Sequence, residues 1–360
     1  MSDSPQPYRV LARKYRPRSF SELIGQDAMV QTLGNAIRRG RLAHAFLMTG
    51  VRGVGKTSTA RLIAKALNCV GPDGQGGPTI DPCGICEPCR AIAEGRHIDV
   101  VEMDAASHTG VDDVREIIEA VRYAAVSARY KIYIIDEVHM LSKNAFNALL
   151  KTLEEPPAHV KFLFATTEVN KVPVTVLSRC QRFDLRRIPA DLLATHFAHV
   201  VEAESVAAEP DALALIAQAA EGSARDGLSI LDQAIAHAEM GEGAPLVTAA
   251  QVREMLISAA AAEWKVDRST LRAENGMILG ANGQGKSTVV KTIARSLKAV
   301  AGEITEGKGL NIGYFAQHQV DAIDSDASPL LQIQRRDRNA REQVLRDFLG
   351  GFGFVGDMAL

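Results

Sequence analysis

The sequence has no apolar run near the roughly 18 residues that a membrane-spanning helix needs. Its first residues, Met1-Ser2-Asp3-Ser4-Pro5-Gln6-Pro7, carry no basic segment leading into an apolar core. Neither a membrane segment nor a secretory signal is visible, so the cytoplasm is the expected compartment. An excess of one charge is also missing. A formal net charge of −2 excludes a globally basic nucleic-acid binder, although it leaves room for a local basic patch. Cysteine is scarce, five in 360 residues, yet four of the five fall between positions 69 and 89. In a reducing compartment such clustering points to metal rather than to disulfides. What remains is ordinary globular composition, 46% hydrophobic and 23% charged, with length for two or three domains.

The stretch Gly50-Val51-Arg52-Gly53-Val54-Gly55-Lys56-Thr57 follows the apolar run Ala45-Phe46-Leu47-Met48 and opens a helical pattern from Ser58 to Leu67. Strand, glycine-rich loop and helix in that order are the context of a phosphate-binding loop. The glycines let backbone N–H groups turn inward, and the helix adds the positive end of its dipole. Lys56 is placed to reach β- and γ-phosphates and Thr57 to hold Mg²⁺. Gly50, Gly53, Gly55, Lys56, Thr57 and Ser58 are the candidate nucleotide-binding residues.

Upstream, Tyr8 to Arg18 is basic throughout: a solvated arm, or a segment that wraps a nucleotide base or an acidic partner. A helix is expected from about Asp27 to Arg39. Downstream come Cys69, a Gly/Pro-rich loop, and Cys83-Gly84-Ile85-Cys86-Glu87-Pro88-Cys89. Four thiols so spaced can surround one tetrahedral Zn²⁺. An iron–sulfur cluster is the rival, but its run ends in a Cys-Pro step, whereas Cys89 is followed by Arg90. Zinc is favoured, in a structural role, stabilising its loop by roughly 10–16 kcal/mol of apparent metal affinity. Cys180 stands apart and reads as a small buried hydrophobe.

Ile98 to Val101 reads as a buried strand and Val111 to Tyr123 as an amphipathic helix. The β-rich run Lys131-Ile132-Tyr133-Ile134-Ile135 then ends in Asp136-Glu137. Behind a phosphate loop, Asp136 suits the Mg²⁺ shell and Glu137 the deprotonation of an attacking water. Ser142 to Glu154 is helical with Ser142 as N-cap, and Val160 to Ala165 is a buried strand ending at Thr166-Thr167, where a hydroxyl can meet water or the γ-phosphate. Alternation of strand and helix from Ala45 to about Asp184 predicts an α/β domain, with a mostly parallel sheet covered on both faces. From Pro189 to Leu256 only helices follow: 190–204, 210–220 and 223–240. Arg225 lies in the first turn of the last, a cation opposing the helix dipole, which suggests that it faces an anion.

Tyr8 to Leu256 resembles the gamma/tau subunit family of bacterial DNA polymerase III. The likeness rests on Leu11-Ala12-Arg13-Lys14-Tyr15-Arg16-Pro17, the four-cysteine insert, Ile135-Asp136-Glu137-Val138-His139-Met140-Leu141, Leu149 to Pro157, Leu177-Ser178-Arg179-Cys180 and Gly222-Ser223-Ala224-Arg225-Asp226. The resemblance implies an AAA+ P-loop NTPase fold (1–188) with a zinc-binding insert at 69–89, followed by a small all-α lid (189–256). It also implies an ATPase of the clamp loader, catalogued with DNA-directed DNA polymerase although nothing resembles a polymerase active site. On the same resemblance Lys56 and Thr57 are the Walker A residues, Asp136 and Glu137 the Walker B pair, and Thr167 sensor 1. Arg225 is sensor 2, Arg179 an arginine finger reaching a neighbouring subunit, and Cys69, Cys83, Cys86 and Cys89 the zinc ligands. ATP, Mg²⁺ and Zn²⁺ are the implied cofactors. The implied partners are other clamp-loader subunits in a hetero-oligomeric ring, the sliding clamp and primer-template DNA.

There are departures. Near Ser107-His108-Thr109-Gly110, where family members often carry basic residues, only Arg115 remains nearby, which predicts a weaker DNA grip. The helical collar expected near Ile257 does not follow. Residues 257–275 read as a junction, and Gly280-Ala281-Asn282-Gly283-Gln284-Gly285-Lys286-Ser287 then forms a second P-loop pattern. From about Gly276 the chain resembles part of an ABC-F ATPase, with Gly280, Gly285, Lys286 and Ser287 at phosphate and Mg²⁺ and Gln317 in the Q-loop. Its signature motif and second acidic strand are not found, so residues 276–360 are expected to be a partial ABC-type α/β fragment, joined in an apparent chimera. Nucleotide-dependent action on translation, and a non-catalytic scaffold, are the alternative readings.

Overall fold

The computed structural model describes residues 9–107, 110–239, 245–274, 277–279, 328–336 and 342–350. Two compact units divide it, Met1–Ile278 and Leu279–Leu360.

The first unit is built on five parallel strands: β1 Ala45–Thr49, β2 Val100–Asp104, β3 Lys131–Asp136, β4 Val160–Thr166 and β5 Gln181–Asp184, in the spatial order β2-β3-β4-β1-β5. The register pairs Thr49 with Thr166 and with Asp184, and Asp104 with Asp136, so the strand ends that carry polar residues lie along one edge. Because side chains alternate along a strand, Phe46 and Met48 pack with α2 Asp27–Arg38 and α3 Lys56–Asn68 on one face. Ala45 and Leu47 pack with α5 Val111–Val121 and α6 Lys143–Glu154 on the other. β1 and β4, central and covered on both sides, are buried at every position. Such continuous apolar runs are what a doubly covered parallel sheet requires.

β2 departs from the sequence reading. The expected buried strand at Ile98–Val101 is shifted to Val100–Asp104, and it is not buried: Val101 is 40% exposed and Ile98, outside the strand, 66%. The cause is topological, since β2 is the edge of the sheet.

Between these elements, α1 Leu11–Lys14 opens the described chain, α4 Glu87–Glu94 follows the cysteine-rich loop, and α7 Val174–Leu177 precedes β5. After Pro189 come α8 Ala190–Ala203, α9 Pro210–Ala219, α10 Ala224–Glu239 and α11 Ala249–Trp264. Their apolar faces share one core around Leu193, Phe197, Ile216, Leu231 and Val252. Two short segments, β6 Ala207–Ala208 and β7 Leu246–Val247, pair in parallel beside it. α11 starts with a capping box between Thr248 and Gln251 and crosses position 257 unbroken. The basic opening segment is no free arm over its described part: Leu11 enters the helical core, and Lys14 and Tyr15 both bond Glu204. Burial, the hydrogen bond to Glu204 and that residue's charge push the Tyr15 pKa up to about 12.

In the second unit, helices Pro329–Arg336 and Glu342–Gly350 pack Leu330 against Leu345 and Leu349. The second P-loop, with Gly280, Gly285, Lys286 and Ser287, and also Gln317, lies outside the described residues, as do His108 and Thr109. No described helix is long and apolar enough to cross a membrane.

Candidate nucleotide site and cysteine cluster

β1 ends at Thr49, and the chain turns through Gly50 to Gly55 into α3. Two glycines are fixed by their surroundings. A Cβ on Gly50 (φ 140°) would lie 2.6 Å from the Leu185 carbonyl oxygen. One on Gly53 (φ 78°) would lie 2.0 Å from Ser223 Oγ. The loop is thus walled by the exit of β5 and by the start of α10. Lys56, the first residue of α3, is 6% exposed, and its Nζ donates to the Gly50 and Val51 carbonyls at 2.9 Å each. Burial pushes its pKa down, against the opposing pull of the Glu137 and Asp136 carboxylates. Ser58 is buried in the same turn. Glycines that admit close approach, a buried ammonium and a helix N-terminus fit a polyphosphate.

The acids come from β3. Asp136 Oδ2 accepts from Thr57 Oγ1 at 2.6 Å, joining the end of β3 to the first turn of α3. Asp136 Oδ1 accepts from the Glu137 N–H at 3.0 Å. Glu137 itself is left-handed, φ 45° and ψ 46°, which costs a residue with a Cβ about 1–2 kcal/mol. Its carboxylate is held from just beyond the end of β4: Thr167 N and Oγ1 donate to Glu137 Oε2 at 3.1 and 3.0 Å. The strand order explains the meeting, because β4 lies between β1 and β3 and its end therefore separates the loop from the acids.

Arg225 opens α10 beside the loop, its N–H 3.4 Å from the Gly53 carbonyl, and Ser223 caps that helix by accepting from the Asp226 N–H at 3.2 Å. Lys56, Thr57, Asp136, Glu137, Thr167 and Arg225 are therefore gathered at one end of the sheet. Arg179 is placed elsewhere. Its guanidinium donates to Glu154 Oε1 at 2.5 Å and to the Thr175 carbonyl at 2.6 Å.

The four cysteines also converge. Cys69 follows α3, Cys83 lies in the loop, Cys86 precedes α4 and Cys89 is within it. Their four Sγ atoms all lie within 4.8 Å of one another. Four sulfurs about 2.3 Å from a tetrahedral centre would stand about 3.8 Å apart, so this donor set fits one zinc-sized ion. Cys69 Sγ accepts from the N–H groups of Gly71 and Cys83, and Cys83 Sγ from that of Cys86, each at 3.4 Å. For Cys83, burial works against ionisation but the Cys86 and Ile85 N–H groups outweigh it, bringing the thiol down to about 7. Burial pushes the Cys89 thiol up. Arg129 braces the loop, donating to the Leu67 carbonyl at 2.7 Å and to that of Gly76 at 2.8 Å. Cys180 stands apart, and burial pushes its thiol up to about 12.

Residues 25–189 match the family model described as DNA polymerase III, delta subunit, and residues 193–240 the model described as DNA polymerase III clamp loader subunit, ATPase lid domain. The DNA polymerase III subunit tau of Escherichia coli is 53% identical over 229 residues, covering 64% of this chain and 35% of that protein. Residues 8–256 belong to the DNA polymerase III gamma/tau family. A second family member, the tau subunit of Salmonella typhimurium, is 46% identical over 287 residues, covering 80% of this chain and 42% of that protein. The gamma subunit of Buchnera aphidicola from Acyrthosiphon pisum is 47% identical over 228 residues, covering 63% of this chain and 62% of that protein. The chain thus spans less than two thirds of the length of these family members. A solved RuvB variant from Thermotoga maritima aligns with TM-score 0.50 at 17% identity, covering 79% of this chain and 99% of that one. At that identity the likeness concerns the fold, an AAA+ α/β unit with a helical lid. Residues 265–355 match the model described as ABC transporter.

Sequence reasoning assigned no role to His139, which lies beside Glu137. It placed Ser223 as a helix cap but not as a wall of the loop, and it offered the hydroxyl at Thr166-Thr167 to water or phosphate, whereas Thr166 is fully buried at the end of β4. The available signal was a polar residue two positions after the acid pair, and a hydroxyl that a strand end would otherwise leave in solvent.

Proposed function

We propose that this chain is an ATP-hydrolysing clamp-loader subunit that helps load a sliding clamp onto primed DNA in the cytoplasm. The reading is supported by the names of its relatives and carried by one observation: the Thr57–Asp136 hydrogen bond, which draws Lys56, Asp136, Glu137 and Thr167 together at adjoining strand ends. Lys56 and the loop N–H groups hold the phosphate charge. Thr57 and Asp136 hold Mg²⁺, which when bound neutralises phosphate oxygens and orients them. Glu137 accepts a proton from the attacking water, and Thr167 fixes that carboxylate and faces the terminal phosphate. Arg225 brings charge from the lid. Arg179, bonded away from its own site, serves the site of a neighbouring subunit in a hetero-oligomeric ring. Cys69, Cys83, Cys86 and Cys89 hold a structural Zn²⁺. Other clamp-loader subunits, the clamp and primer-template DNA are the partners. Residues 276–360 are read as an ABC-type segment joined to this unit, a joint that long-read sequencing across codons 250–285 tests directly.

Turnover of ATP with primed DNA and clamp tests the main assignment. Lys56→Ala is expected to lose nucleotide binding. Glu137→Gln is expected to bind nucleotide yet turn over at least about 100-fold more slowly, the scale of a missing general base. DNA-stimulated turnover at the parent rate in either variant defeats the site.

A further inference from the structure

The carboxylate of Glu137 is held by Thr167 and is also faced by a buried histidine. His139, its side chain 6% exposed, places Nδ1 2.9 Å from Thr166 Oγ1 and 3.3 Å from Glu137 Oε2. Its other nitrogen, Nε2, lies 3.4 Å from Glu168 Oε1. Glu168 is itself tied down, its carboxylate to Lys171 Nζ at 2.8–2.9 Å and its N–H to Thr166 Oγ1 at 3.0 Å. The ring therefore spans the turn after β3 and the segment after β4, with a different acid at each nitrogen.

We propose that His139 is a positioning residue that fixes the orientation of the Glu137 carboxylate, a proposal that rests on Glu137 being the proton acceptor. Among the described residues, the polar contacts of that carboxylate with Thr167 and His139 all fall on Oε2. Oε2 is thus the anchored oxygen and Oε1 the one presented to water. The ring acts through geometry, holding Oε2 beside Thr167. Glu137 needs such an anchor because its left-handed backbone turns it out of the line of β3, and a base out of hydrogen-bond reach is lost to catalysis. The second nitrogen, braced by the Glu168–Lys171 pair, keeps the ring from rotating.

Two amides separate the contacts. The Asn amide overlays the Nδ1 position, and the Gln amide the Nε2 position. In the full chain assembled with its partner subunits, His139→Ala and His139→Gln should lower kcat for ATP about 10- to 100-fold, with nucleotide Kd changed by less than about threefold. His139→Asn should stay within about threefold of the parent. A readout independent of turnover is the ring ¹⁵N spectrum of the histidine-labelled full chain, with His139 assigned by its loss in His139→Asn. There Glu137→Gln should move Nδ1 and leave Nε2, and Glu168→Gln should do the reverse. A parent-like or raised kcat in His139→Ala, or equal losses in the Asn and Gln variants, overturns the proposal. So does an Nδ1 signal indifferent to Glu137→Gln. If Glu137→Gln itself turns over normally, the assignment of the proton acceptor has failed instead.

Discussion

Alanine at position 53 tests how tightly the lid approaches the phosphate loop. The new Cβ would fall 2.0 Å from Ser223 Oγ, 3.2 Å from Ser223 Cβ and 3.1 Å from Arg225 Cβ. A residue with a Cβ held at φ 78° costs about 1–2 kcal/mol before any contact is considered. The hydroxyl cannot simply swing away, because Ser223 is buried and caps α10 through the Asp226 N–H. Losing that cap costs about 1 kcal/mol more. The total of about 2–3 kcal/mol appears either as lost stability or as separation of lid from loop. In the second case nucleotide affinity falls about 30- to 150-fold. Urea unfolding and nucleotide titration of Gly53→Ala, Ser223→Gly and the double variant distinguish the two. Ser223→Gly removes the obstructing atoms but not the backbone cost, so the pair should couple by about 1 kcal/mol, above the 0.3–0.5 kcal/mol scatter of independent sites. Strict additivity, or a parent-like Gly53→Ala, would refute the close approach.

Other expectations concern residues outside the phosphate loop. Asp99 accepts from the N–H groups of Val126, Ser127 and Ala128 at 2.8 Å; burial opposes its ionisation, but these bonds hold its carboxyl below the usual range. Its stabilisation is therefore full above the unfolded value near 3.9 and disappears as pH falls through the lower folded value. Asp99→Asn should cost about 2–3 kcal/mol at pH 7 by urea unfolding, a gap that narrows toward pH 2–3; a gap indifferent to pH would contradict this. Cys89→Ser should abolish stoichiometric zinc, measured by atomic absorption, and leave nucleotide binding intact, so joint loss of both would argue against a separate structural site. Arg179→Ala should change nucleotide affinity by less than about twofold while slowing the assembled complex about 10³- to 10⁵-fold. Equal slowing of the isolated chain would remove its role toward a neighbour.

The phosphate loop and the four cysteines were legible because each is a matter of local spacing, and the structure gathers what the spacing suggested. β2 was not, because its composition is apolar while its burial depends on which strands flank it. β5, the four residues Gln181-Arg182-Phe183-Asp184, buries only Phe183 and carries no periodic signal; pairing with β1 makes it a strand. Ser223 and Gly53 meet only after the whole sheet and lid have formed. His139 acquires partners from β3 and β4 at once, a convergence that follows from strand order rather than from any neighbouring residue.

α3 carries one further consequence. Eleven of its thirteen residues are buried, and at about 20 Å it joins the phosphate loop at its start to Cys69 at its end. A helix enclosed on nearly every side cannot roll or slide without tearing out the sheet core, so it behaves as a stator. A displacement of α8–α10 against the sheet would therefore have to be taken up in the short connector at 185–189, where Arg187 donates to the Glu221 carbonyl at 2.5 Å and Ile188 to that of Gly222 at 3.1 Å. Those two bonds tie the connector to the turn between α9 and α10, so it belongs mechanically to the helices rather than to the sheet.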